Sequence, residues 1–538
     1  SGRAGLAPRF WGDIDRTVSV PNLRYIASEG QFVDGIYNPF RRYGYCSPAN
    51  ATFQTLTLSG GSNDGVMTSS IYDSVNDDYY FATNGTEIYI GDGLDDTVLS
   101  LTGTALGATG TPVIFDLEIY QINGVRKMFY VYEKSGNLNV GKGDLPFANQ
   151  NDVWLITTTT GAFTNGITNM AFMRVADNGF AYIFQDNNVH KIDGTTAGGT
   201  NGTVTANILQ FPAYFQITDA VDYRGSLLIA IRQDATAQWL VDGSIVKNTQ
   251  VGVYIWDRVS SSVKTSDYIP LTGIKEIRKM YISPAGELRI IVVNSERVTQ
   301  IRRFNGSYFE TIDEVGIGAY PAVHDSLEVV SDFAIWLGND GIFYAHGKTA
   351  YSEKEGLFKI GQISDINTTP SGRAGAILFG GANTDSTSSG FKDTKNGLFF
   401  AYIDTTPTKQ VKEFDLYGTG ASGVNATILQ GDIYTPVKFL PQMSNVNYID
   451  IYMATLATSG TATAATIKIY FNGSTTAWAS KTITRGNISV GYKRLEINKP
   501  YVNSIQIEIE HPTSQSPGVA DFAPAFAIVD YTPTPTKG

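Results

Sequence analysis

Four histidines, one cysteine and scattered carboxylates are the residues of this chain best suited to chemistry, and their spacing limits what they can do. His190, His324, His346 and His511 lie far apart. None forms the H-E-x-x-H pattern by which two imidazoles on one helix face hold zinc, so each is expected to be structural. Cys46 sits in a Pro/Gly-rich run with no histidine nearby to take its proton, which argues against a thiol nucleophile. The segment Gly91-Asp92-Gly93-Leu94-Asp95-Asp96 offers oxygen ligands but lacks the EF-hand spacing and its closing glutamate; it reads as an acidic turn. No G-x-S-x-G elbow, Walker loop or G-x-G-x-x-G fingerprint occurs. The residues therefore call for no catalytic group, no metal and no cofactor.

Any site must then be built by strands, because a short strand core keeps returning. It reads Tyr79-Tyr80-Phe81-Ala82-Thr83, Met128-Phe129-Tyr130-Val131-Tyr132, Phe180-Ala181-Tyr182-Ile183-Phe184 and Leu227-Leu228-Ile229-Ala230-Ile231. It continues with Leu288-Arg289-Ile290-Ile291-Val292-Val293, Phe333-Ala334-Ile335-Trp336-Leu337 and Leu398-Phe399-Phe400-Ala401-Tyr402. Spacings of roughly 45 to 65 residues fall within propeller and solenoid periods. Each run is too short for a buried helix and rich in aromatic and β-branched types. Seven returns predict an all-β chain with a seven-bladed β-propeller over residues 53–430. Gln54-Thr55-Leu56-Thr57-Leu58 alternates like a half-buried strand and is expected to pair with the last blade, closing the ring and removing its open edges. Insertions at Arg232–Gln250 and Gly380–Asn396 stretch two of the repeats.

Outside that rhythm lie two other segments. Residues 1–52 mix turn formers with arginines and aromatics, and prolines and glycines across Asn38–Pro48 deny helix and central strand alike. Such an arm cannot build its own core. It must lie on its own chain or on a neighbouring subunit, and Arg9, Phe10, Trp11, Phe40, Arg41 and Arg42 are the types that dominate interface contacts. Residues 431–538 alternate more cleanly. Strands are expected at Asn447–Met453, Thr466–Phe471, Ala477–Ile483, Tyr492–Ile497, Ser504–Glu510 and Ala525–Tyr531, forming a jelly-roll- or Ig-like β-sandwich. The turn at Asn472-Gly473 joins two of them.

Bulk composition sets further bounds. A net charge of −11 argues against specific nucleic-acid recognition, which rests on neutralising phosphates. A single cysteine allows no internal disulfide, and a chain this large and free of disulfides is expected to be made in a reducing compartment. No apolar run approaches the length of a membrane-spanning helix.

The layout resembles structural proteins from the tails and necks of tailed bacteriophages. The resemblance is carried by Val20-Pro21-Asn22-Leu23-Arg24 and Asn38-Pro39-Phe40-Arg41-Arg42-Tyr43-Gly44-Tyr45 in the arm, by Tyr/Thr/Asn-rich blades, and by a terminal sandwich entered through Thr435-Pro436-Val437-Lys438-Phe439. It implies a non-enzymatic, nozzle- or adaptor-like virion component, made in the host cytoplasm. Other copies of itself in a ring and neighbouring tail or neck proteins would be its partners. The alternative is a carbohydrate-binding or glycan-depolymerising tail propeller that contacts the host surface. Trp239, Trp256 and Trp336 would be its stacking platforms and a carboxylate pair its cleaving groups, although the Asp-box of many sialidase propellers is missing.

Overall fold

The computed structural model describes residues 171–193, 203–233, 250–321, 326–348, 355–363, 438–454, 463–484, 492–510 and 523–534 without interruption, and most of 67–145. It also describes the strand segments 23–26, 37–38, 47–48, 54–56, 154–157, 239–241, 244–246, 374–383, 394–403, 409–415 and 432–434, with 96–100. Among the described residues there is no α-helix, and no helix long and apolar enough to cross a membrane.

Seven four-stranded antiparallel sheets follow one another along the chain. Their first strands are Met67–Asp73, Val113–Ile122, Phe172–Val175, Phe215–Tyr223, Ile274–Ile282, Leu327–Val330 and Ala374–Asn383. The first strands of the first five sheets pack side by side in chain order, those of the sixth and seventh do likewise, and the first strand of the seventh packs back against that of the first. In the seventh sheet the fourth strand is Gln54–Leu56, which pairs with Lys409–Asp415 through Val411↔Leu56 and Glu413↔Gln54. The pairing expected of this N-terminal strand is therefore present.

The recurring cores form the second strand of each sheet, and their composition follows from where they sit. A strand in a sheet stacked between two others has no wet face, so it reads as a continuous apolar run rather than an alternation. Ala181–Gln185 and Phe333–Leu337 are buried at every position, as is Leu288–Val293. Between the third and fourth sheets the seam is aromatic: Tyr182 meets Trp256 edge-on at 5.5 Å, and Phe211 meets Tyr254 at 5.3 Å.

The structure corrects several boundaries. Within Arg232–Gln250 the strand Ser226–Gln233 runs on, and a small hairpin, Trp239–Val241 with Ser244–Val246, follows. The fourth sheet gains an unexpected last strand, Tyr268–Pro270, short because it ends at a proline that cannot donate to the ladder. Strands Ala374–Asn383 and Thr394–Ile403 extend into the loop expected at Gly380–Asn396.

The C-terminal strands belong to one seven-stranded antiparallel sheet. Tyr492–Ile497 and Ser504–Glu510, expected as separate strands, are parts of a single strand, Tyr492–Glu510. Asn498 and Tyr501 take positive φ (50° and 58°), which bends this strand without ending it. Its first half pairs with Lys438–Ala454 and its second half with Thr463–Phe471. Ile505, Ile507 and Ile509 are buried on one face as expected, but the other face is not simply wet. Glu508 is buried there, held by Lys468 Nζ at 2.9 Å and by the Tyr470 hydroxyl.

Leu23–Ile26 adds a strand to the edge of this sheet, pairing with Ala523–Pro533 through Leu23↔Tyr531 and Ile26↔Ile528. At this point the arm lies on its own chain. Tyr37–Asn38 and Ser47–Pro48 make a two-residue ladder in a stretch expected to hold neither helix nor central strand; the pair forms a small sheet of its own, in which neither strand is central.

Candidate functional site

The strongest concentration of buried charge lies where the first strands meet. In four of these strands a β-bulge immediately precedes a polar residue: Ser69, Asp116, Asp219 and Lys279. A bulge bends its strand and re-aims the next side chain, here toward the adjacent sheet. Asp116 accepts a hydrogen bond from the Ser69 hydroxyl of the first sheet (2.8 Å) and from the Met173 N–H of the third (2.6 Å). Asp219, in the fourth sheet, accepts from its own neighbour Ala220 N–H (2.8 Å) and from Met280 N–H of the fifth (2.5 Å).

Arg174 completes the belt. Its guanidinium lies 3.7 Å from Asp116 and 3.6 Å from Asp219, and donates to the carbonyls of Met173 (2.6 Å) and Ala220 (3.3 Å). Burial pushes the Asp219 carboxyl above its usual range, opposed by Lys279, Arg174 and the two N–H donors. Signs alternate from Asp116 to Arg174 to Asp219 to Lys279, so each buried charge faces an opposite one.

Further ties join the same sheets elsewhere. Arg126 of the second sheet pairs with buried Asp73 of the first at 2.5 Å. Arg258 bridges Asp177 and Asp222 between the third and fourth sheets. Arg232 binds Gln216 (2.9 Å) and Glu276 (2.7 Å) between the fourth and fifth. Between the fifth and sixth, buried Arg289 donates to Glu287 (2.6 Å) and Glu355 (2.7 Å) and lies 3.3 Å from His346 Nδ1. Nδ1 facing a guanidinium must act as acceptor, which leaves the proton on Nε2, 3.3 Å from Asp313. This His–Asp pair resembles part of a catalytic triad in its atoms, but both side chains are buried and an arginine takes the nucleophile's place. Its geometry can position a sheet; it cannot relay a proton to a bound substrate.

A cavity of about 300 Å³ opens in the C-terminal sheet, lined by Tyr470, Ser474, Thr475, Ser504 and Gln506 with the backbone of Gly473. Among the described residues no three His, Cys, Asp or Glu side chains converge as metal ligands do.

The six residues expected at an interface, Arg9, Phe10, Trp11, Phe40, Arg41 and Arg42, lie outside the described residues, as do Cys46, His324, His511 and Asp92–Asp95. His190 and His346 are buried in strands. Trp256 and Trp336 are also buried, their indole N–H groups donating to Ser260 and Ala319 carbonyls, so neither is a stacking platform. The side chain of Trp239 is outside the described set. Sequence reasoning missed Asp116, Arg174, Asp219 and Lys279. Asp116 and Asp219 do break apolar runs, at Ile114-Phe115-Asp116-Leu117 and Ile217-Thr218-Asp219-Ala220, but nothing in those letters separates them from solvated residues.

No protein-family model and no curated protein matches this sequence. Among solved structures, the chain is similar to Raptor from Chaetomium thermophilum, with a TM-score of 0.41 and 9% sequence identity. That similarity covers 70% of this chain and 29% of the other, so this chain spans under a third of Raptor's length.

Proposed function

We propose that the chain is a non-enzymatic structural subunit of a bacteriophage tail or neck. In this reading a seven-bladed β-propeller carries a C-terminal β-sandwich and assembles with copies of itself and with neighbouring virion proteins into a ring or tube. The observation that carries it is the use made of the buried charges. At the seams between sheets, carboxylates and guanidinia are committed to main-chain N–H groups, to carbonyls and to one another. That arrangement holds modules in fixed relation, which a wall or spacer requires, and leaves those groups no valence for turning over a substrate. Closure of the seventh sheet by Gln54–Leu56 supports the propeller. The bent strand Tyr492–Glu510, which changes partners midway, supports a sandwich whose layers share strands. Strand Leu23–Ile26, added by backbone pairing to a distant sheet, supports an arm that works by docking.

Class-averaged electron micrographs and sedimentation of the full chain, beside a chain lacking residues 1–50, test the reading. Closed rings of full-length copies are expected, each copy showing seven wedges. Truncation is expected to abolish rings while the β-rich circular dichroism persists. A full chain that stays monomeric at high concentration, or a truncated one that assembles unchanged, would overturn it.

A further inference from the structure

An asparagine followed by glycine can modify itself, because the glycine nitrogen lies within reach of the asparagine amide carbon and carries no side chain to hinder it. Three such steps occupy turns of this chain, Asn178-Gly179, Asn305-Gly306 and Asn472-Gly473, and their hydrogen bonds set them apart. Asn178 Nδ2 donates to the Tyr182 hydroxyl (2.8 Å), and the Gly179 N–H that would attack is spent on the Ala176 carbonyl (3.0 Å). Asn472 is pinned through both side-chain atoms: Nδ2 donates to the Tyr501 carbonyl (3.1 Å), and Oδ1 accepts from Asn503 N–H (2.9 Å). Asn305 differs. Its Oδ1 accepts from the N–H groups of Ser307 (3.1 Å) and Tyr308 (3.1 Å), while among the described residues no hydrogen bond engages its Nδ2 or the Gly306 N–H.

We propose that Asn305 is a self-modifying site, where the turn promotes attack by the Gly306 nitrogen on Asn305 Cγ and converts the asparagine to aspartate and isoaspartate. The N–Cγ bond forms as the Gly306 nitrogen loses its proton to hydroxide from solvent. The carbonyl electron pair moves onto Oδ1, and its return expels Nδ2 as ammonia, leaving a succinimide ring. Water from solvent then opens that ring. Opening at Cγ gives aspartate; opening at the main-chain carbonyl gives isoaspartate, with the chain rerouted through Cγ. A nitrogen leaves and a water oxygen enters, with no change of oxidation state. The Ser307 and Tyr308 N–H groups already stand where charge develops on Oδ1, an oxyanion cradle made by the turn itself. Residues 305–308 are exposed, so ammonia departs into water and water reaches the ring.

A further asparagine of the same sheet isolates what the cradle lacks on its own. Asn294 Oδ1 accepts from Glu296 N–H (3.0 Å) and Val298 N–H (2.9 Å), but the N–H that would attack belongs to Ser295 and donates to the Gly273 carbonyl (3.0 Å). Of these four asparagines, Asn305 combines the cradle with a free nucleophile. Gly306 holds φ at 105°, which glycine keeps without the clash a Cβ would bring. The turn joins Val298–Phe304 to Phe309–Ile317, the third and fourth strands of the fifth sheet. Conversion places a carboxylate two residues from Arg303, which already pairs with Glu310 (2.5 Å). Isoaspartate also adds a main-chain atom beside the Phe304↔Phe309 pair, so the modification alters both the charge and the ladder of an outer strand.

The test is incubation of the full chain at neutral and mildly alkaline pH, followed by peptide mass spectrometry, which reads the mass gained when the amide nitrogen is exchanged for oxygen. In the folded chain Asn305 is expected to convert about tenfold or more faster than Asn178, Asn294 and Asn472, and faster still as pH rises, because the attacking nitrogen must lose a proton. In urea, where no turn survives, the three Asn-Gly steps are expected to converge. Two results would each overturn the proposal. One is Asn305 converting no faster than Asn178 and Asn472 in the folded chain. The other is Asn305 keeping its lead in urea, which would assign the ranking to sequence neighbours and not to the turn. The proposal holds whether or not the chain forms rings.

Discussion

Single residues in this protein carry their consequences through burial. His190 is fully buried and accepts the Asn207 N–H at Nδ1 (3.1 Å), and burial lowers its pKa from 6.5 to about 4. Between those values the unfolded chain binds a proton that the folded chain refuses. Stability is therefore complete above pH 6.5 and falls as pH drops toward 4, by up to about 3 kcal/mol from this group. In melting curves measured across that range, His190→Gln should flatten the dependence; an unchanged slope would assign it to other groups. Asp219 is the more sensitive position. Removing its carboxylate strands the N–H groups of Met280 and Ala220, takes a counter-charge from Lys279 and leaves Arg174 with Asp116 alone. Asp219→Ala is expected to cost about 3–5 kcal/mol, read from the urea midpoint. A cost below about 1 kcal/mol would mean that water replaces the carboxylate.

At the scale of elements, the bulged first strands and the closing strand matter most. Asp219 and Arg174 lie in different sheets and touch, so Arg174→Ala and Asp219→Ala should be non-additive. A double-mutant cycle is expected to give about 1–3 kcal/mol of coupling, and strict additivity would show that the two sheets are joined by apolar packing alone. Close backbone approach sets a second requirement. A Cβ on Gly252 would meet the Ile269 carbonyl oxygen and the Tyr268 ring of the neighbouring strand. Gly252→Ala should therefore destabilise the fourth sheet by about 1–3 kcal/mol. Thr55→Pro acts on the closing strand, whose three residues form the edge of the seventh sheet. Proline there removes a donor and restricts the ladder, so a lower melting temperature and faster proteolysis are expected.

For the molecule as a whole, hydrogen bonds and ion pairs run continuously from the first sheet to the sixth. Those at Asp116 and Asp219, whose carboxylates are buried, add little net stability but are strongly unfavourable when mismatched, so they select one order and spacing of sheets. They are also shielded from salt. Raising sodium chloride from about 0.1 to 1 M should leave the melting temperature nearly unchanged; a large fall would place the working ion pairs on the surface. Deleting residues 1–50 removes Leu23–Ile26 and bares the edge strand Ala523–Pro533. The truncated chain should therefore melt earlier in its C-terminal sheet and aggregate more readily, with the seven-sheet portion intact because Gln54–Leu56 remains.

The strand cores and the closing strand were legible because apolar runs of four to six residues, flanked by turn formers, have few other folded uses. Met128–Tyr132 and Phe333–Leu337 had to be buried strands wherever they ended up, and Gln54–Leu58 had to find an edge. The seam charges were not legible. Asp116 and Asp219 look like solvated residues until a bulge, invisible in sequence, turns them toward another sheet. Trp256, Trp336 and Trp478 are alike as letters, and only packing decided that the first two are core and the third faces water. Local chain chemistry thus determined which segments are strands, through short-range propensity and hydrophobic period. Tertiary structure alone decided which polar and aromatic groups meet, because those neighbours are brought together across tens of residues by the stacking of sheets.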